Sequence, residues 1–138
     1  MDDLLLEEVH RWLTKAQHDL QSARKLALGP EPLLDTAIYH CQQAAEKAAK
    51  AVLCFQGISL MKSHDVRHLI ARLAELDDRF EPWITTGESL TPYATAYRYP
   101  DESLLPDPDE FQQALHQAES FFEFVLTLLP TKRCGEIK

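Results

Sequence analysis

Tyr39-His40-Cys41-Gln42-Gln43-Ala44-Ala45-Glu46-Lys47-Ala48-Ala49-Lys50 is the stretch whose reading decides the fold. Its alanines fall at 44, 45, 48 and 49 with no Gly or Pro between them. Alanine is the residue that costs least in a helix, and small residues repeated at this spacing let other helices approach closely. Working outward, the pattern predicts a helix over 34–56. One apolar stripe is Ala37, Cys41, Ala44, Ala48, Val52 and Phe55, and a second is Ile38, Ala45, Ala49 and Leu53. So broad an apolar surface predicts burial on more than one side and offers a face to a second copy of the chain. Gly57 can stop the helix because it accepts positive φ.

The same periodicity extends along the chain. Leu5, Val9, Trp12, Ala16, Leu20, Ala23 and Ala27 predict a first helix over 4–27, closed by Gly29-Pro30, with Arg11, Lys15, Gln17, Asp19, Ser22 and Lys25 on a solvated face. Ser63 or Asp65 can cap a third helix carrying Val66, Leu69, Ile70, Leu73 and Leu76. Pro82, Gly87 and Pro92 make the next segment the least regular, and Pro92 suits the first turn of a helix reaching Tyr97. Asp107 or Asp109 starts a last helix with Phe111, Leu115, Ala118, Phe122, Val125 and Leu129 facing inward. The expected fold class is therefore all-α, an antiparallel up-and-down bundle of four to five helices over 1–130, followed by a tail at 131–138.

With 138 residues the chain is long enough for one proper core without disulfide or metal staples. Its net charge of -8 means that its overall field repels nucleic acid, so binding to RNA or a nucleotide has to be local. Cys41, Cys54 and Cys134 form no metal-like pair; Cys41 and Cys54 fall at apolar positions and read as reduced, buried thiols of a cytoplasmic protein. No stretch approaches the roughly 18–20 apolar residues of a membrane span.

Three places carry candidate chemistry. Lys62-Ser63-His64-Asp65 lies at a helix start, where free N–H groups and the helix dipole favour an anion. The alternative is that Asp65 or Ser63 simply caps the helix while His64 bonds to a neighbouring one. Tyr97-Arg98-Tyr99-Pro100-Asp101 sets a guanidinium between two aromatic rings, suited to stacking on a base or gripping a phosphate; otherwise Arg98 fastens the loop to Asp101 or to a helix end. Glu46 and Lys50, four residues apart on one helix, read as a surface pair. His64 and His68 share that spacing, but no third ligand is identifiable, so no metal and no cofactor are expected.

Taken together, the 39–50 stretch followed by Ala51-Val52-Leu53, Lys62-Ser63-His64-Asp65 opening the next helix, and Leu90-Thr91-Pro92-Tyr93-Ala94 leading into Arg98-Tyr99-Pro100 resemble the HEPN family. The resemblance covers nearly the whole chain, from Trp12 onward. It implies a bundle of four or five helices, pairing as a symmetric homodimer, and a prokaryotic setting beside a minimal nucleotidyltransferase. Some HEPN proteins are metal-independent RNase toxins of toxin–antitoxin systems that use Arg followed by His after four to six residues. Others bind nucleotides or RNA or act as scaffolds. Here Arg98 is followed by no His before His116, and the literal match at Arg11 and His18 falls inside the amphipathic pattern of the first helix. The resemblance thus implies a non-catalytic nucleotide- or RNA-binding and interaction module, with the RNase toxin as the alternative. Lys62, His64, Asp65, Tyr97, Arg98, Tyr99 and Asp101 are the binding candidates.

Overall fold

The computed structural model describes residues 3–58, 63–100 and 105–130. Among them are five α-helices, two 3-10 turns and no strand: α1 (Asp3–Leu26), α2 (Leu34–Phe55), α3 (Val66–Leu76), α4 (Ile84–Leu90) and α5 (Pro108–Leu128). The all-helical bundle expected from the periodicity is the fold observed.

α1 and α2 form the most extensive pairing. Their turn is closed by Leu33 N–H donating to the Leu26 carbonyl at 2.8 Å, with Gly29 at φ +91° inside it. The helices are antiparallel, since Glu8 meets Cys54, Trp12 meets Lys50 and Asp19 meets His40. α2 also packs on α5 and α3, so it is the central helix. Ala37, Ile38, Cys41, Ala44, Ala45, Ala48, Ala49 and Leu53 are all fully buried. Apart from the half-buried Phe55, both stripes are therefore consumed inside one chain and leave no broad face for a second copy.

Residues 80–97 run antiparallel along α5. Phe80 meets Phe124 edge to face with centroids 5.2 Å apart, Trp83 stacks on the same ring at 5.0 Å, Ser89 bonds to Gln117, and Tyr93 and Tyr97 reach Glu110. The caps follow local chemistry. Asp65 accepts the His68 N–H at the start of α3, Asp107 accepts the Glu110 N–H at the start of α5, and Gly57 follows α2 at φ +73°.

The segment through Pro92 departs from expectation. In place of a helix reaching Tyr97 there is the short α4 and then a 3-10 turn, Thr91–Ala94. α4 sits close to α3 through Gly87, where a Cβ would fall 2.9 Å from the Arg67 Cα. Beyond Ala94 the chain cannot stay helical, because Tyr97 takes φ +67°. Among the described residues no helix is long and apolar enough to cross a membrane. The expected tail, with Cys134, lies outside the described residues.

Candidate functional site

Two polar arrangements interrupt the apolar surface of α2, each assembled from residues distant in sequence. In the first, Glu46 and Lys50 are buried, at 3% and 6% exposure, which corrects the expectation of a surface pair. Lys50 Nζ donates to Glu46 Oε2 at 3.0 Å, and His64 Nδ1 lies 2.9 Å from the same oxygen. A carboxylate only accepts, so Nδ1 carries the proton. Gln42 Nε2 donates to Glu46 Oε1 at 3.3 Å and to the His64 carbonyl at 2.8 Å. Trp12 closes the cluster from α1, its ring centroid 5.6 Å from Lys50 Nζ. Burial is tolerable because every charge has a partner.

His64 and Asp65 thus have protein partners. Thr91 Oγ1 lies 3.1 Å from Asp65 Oδ1 and accepts the Arg67 N–H at 2.9 Å. Burial pushes the Asp65 carboxyl up, but the His68 N–H, the Thr91 hydroxyl and Arg67 together outweigh it and hold the group below the usual carboxylate range. The Arg67 and His68 N–H groups at the start of α3 are accordingly already satisfied.

The second arrangement surrounds an open recess of about 270 Å³ lined by Asp35, Thr36, Tyr39, His40, Tyr97 and Arg98. Arg98 lies over the Tyr39 ring, its guanidinium carbon 4.2 Å from the centroid, and reaches the Ala94 carbonyl only at 3.5 Å. It makes no ion pair among the described residues. His40 Nδ1 is 2.8 Å from Asp19 Oδ1, and Lys47 Nζ donates to Asp19 Oδ2 at 2.7 Å. Asp19 is consequently buried, where the sequence pattern had it on a solvated face. This bond commits His40 Nδ1 and leaves Nε2 as its second polar atom.

Tyr97 is the outlier that sets the recess, because positive φ is uncommon for a non-glycine residue. Its phenol donates to Glu110 at 2.9 Å, and Tyr93 donates to the same carboxylate at 2.7 Å. The two rings stack nearly parallel, 6.3 Å apart. The hydrogen bond to Glu110, followed by burial, raises the Tyr97 pKa; for Tyr93 burial comes first and Glu110 second. Glu110 in turn is held in the first turn of α5 by the Asp107 cap.

Of the sequence candidates, Tyr97 and Arg98 come together in this recess. His64 and Asp65 belong to the other arrangement, Tyr99 is exposed, and Lys62 and Asp101 lie outside the described residues. Sequence reasoning gave no role to Tyr39, Tyr93, Asp19 or Glu110. The signal available was the four-residue spacing of Tyr93 and Tyr97; no spacing in the sequence marks Tyr39, Asp19 or Glu110. Among the described residues no group of three His, Cys, Asp or Glu side chains is placed to hold a metal ion.

The HEPN domain family model matches residues 9–129. The chain belongs to the HEPN domain family. Among solved structures, this HEPN chain is similar to TT1696 from Thermus thermophilus, at 30% identity and a TM-score of 0.74, covering 88% of this chain and 98% of that one. It is also similar to ST0689, an archaeal HEPN homologue, at 27% identity and a TM-score of 0.65, covering 94% of this chain and 98% of that one. No curated protein matches it.

Proposed function

We propose that this HEPN domain is a non-catalytic binding and interaction module that takes the phosphate of a nucleotide or RNA at the Arg98 recess, acts as a homodimer and partners a minimal nucleotidyltransferase. Arg98 carries the binding reading. It is an exposed guanidinium with no ion pair among the described residues, laid on an aromatic ring beside His40. Such a group offers paired donors to a phosphate and a flat surface to a base. The net charge of -8 over the whole chain keeps binding local to this recess. Dimerisation and the nucleotidyltransferase partner are supported by family membership. The absence of a His four to six residues after Arg98 argues against RNase activity, and Arg11, in the other Arg–His match, is paired with Glu7 at 4.0 Å on the exposed side of α1.

Titration of nucleotides and short RNAs at two salt concentrations tests the reading. Arg98→Ala is expected to weaken binding by about 1.5–3 kcal/mol, the worth of a hydrogen bond to a charged group, with little change in melting temperature. A lowered melting temperature with unaltered affinity would make Arg98 a loop anchor instead. RNA cleavage in EDTA that is lost in both Arg11→Ala and His18→Ala would turn the assignment to an RNase.

A further inference from the structure

The homodimer reading leaves open which face pairs, since both stripes of α2 are buried within the chain. One candidate is on α1, where Glu8, Arg11, Trp12 and Lys15 line a shallow recess of about 330 Å³. Glu8, Arg11 and Lys15 are exposed and Trp12 is half-buried. Lys15 and Glu8 make no ion pair among the described residues, and Arg11 has only its 4.0 Å contact with Glu7. Glu8 Oε2 accepts from the Cys54 thiol at 3.2 Å, which holds the carboxylate at the edge of the recess. In an isologous contact this lining meets itself, two cations and one carboxylate on each side, so each carboxylate is matched by one cation and the second cation is left to the Trp12 ring.

We propose that the dimer closes through this face of α1, about a twofold axis passing between Arg11 and Trp12; the inference rests on the homodimer reading. Glu8 and Lys15 are seven residues apart, about 10 Å along the helix. Their midpoint falls between residues 11 and 12. A twofold axis there makes two α1 helices antiparallel and sets each Glu8 against the partner's Lys15. It also sets each Arg11 beside the partner's Trp12, a ring already in contact with the Lys50 ammonium. The same patch thus serves both copies, as an isologous contact requires. Trp and Arg are the residue types that most often carry interface energy, and Arg over Trp adds a cation–π term. A parallel arrangement would set Glu8 on Glu8 and Lys15 on Lys15, so the charges select the antiparallel one.

Sedimentation of the full chain, with Glu8→Lys, Lys15→Glu and the double exchange, tests this. Circular dichroism of each variant confirms folding. Each single reversal is expected to weaken the dimer by about tenfold or more, because like charges then face each other, and the double exchange to restore it. A dimer indifferent to both single reversals, or one the double exchange fails to rescue, overturns the α1 assignment while the homodimer reading stands. A wild-type chain that is monomeric at micromolar concentration removes the homodimer reading and this interface with it. RNA binding by a monomeric wild-type chain, lost in Lys15→Glu, would give the face to nucleic acid and overturn the proposal.

Discussion

Tyr97 holds a backbone φ of +67° while its phenol donates to Glu110 at 2.9 Å, so a strained turn is fastened by a side chain from the far end of the following connection. A non-glycine residue in the left-handed region costs on the order of 1–3 kcal/mol and persists only when its surroundings over-determine it. Here the carboxylate of Glu110 takes two phenols, and the residue after the strained one is Arg98. Glu110 therefore has a hand in presenting the guanidinium to the recess.

Glu110→Ala is expected to lower stability by about 1–3 kcal/mol, since both phenols lose their acceptor. Tyr93→Phe should cost less, because the Tyr97 bond survives. Urea denaturation of the two variants compares them directly, and equal stability of Glu110→Ala and wild type would mean that other contacts hold the turn.

Lys50→Met leaves the buried Glu46 carboxylate without its ammonium partner. Breaking a buried pair costs about 3–5 kcal/mol, and the lower end is expected here because His64 and Gln42 still serve Glu46. The double variant Glu46→Gln/Lys50→Met removes the charge as well as its partner, and should regain part of the loss. Thermal melts of the single and double variants supply the comparison.

Asp65 has a lowered pKa in the folded chain, so unfolding takes up its proton more readily. Its contribution to stability is present above the unfolded value, about 3.9, and is lost as pH falls through the folded one. Asp65→Asn keeps a side chain that caps a helix well but cannot titrate. Stability measured across the acid range should fall less steeply in this variant than in wild type, with the two curves converging at the acid end.

The helices were legible wherever the cause is local. Apolar residues at steps of three and four marked α1, α2, α3 and α5, and Asp65, Asp107 and Gly57 marked ends because capping and positive φ act within a few residues. The stretch through Pro92 was misread for a reason that is not local. Its path is set by Glu110, thirteen residues beyond Tyr97, and by Gly87 lying against the Arg67 backbone.

By itself the sequence determined the all-helical fold, the central place of the alanine-rich helix and the HEPN family, since these follow from periodicity, small side chains and a combination of motifs. Only the tertiary structure decided what each polar side chain of that helix does. Glu46 and Lys50 at a spacing of four read alike whether the pair is on the surface or inside, until Trp12 and His64 close over them. Likewise Tyr39 acquires a role only when Arg98, fifty-nine residues further on, is brought across its ring. Burial and partnership depend on which remote element covers a side chain, and spacing along one helix holds no record of that.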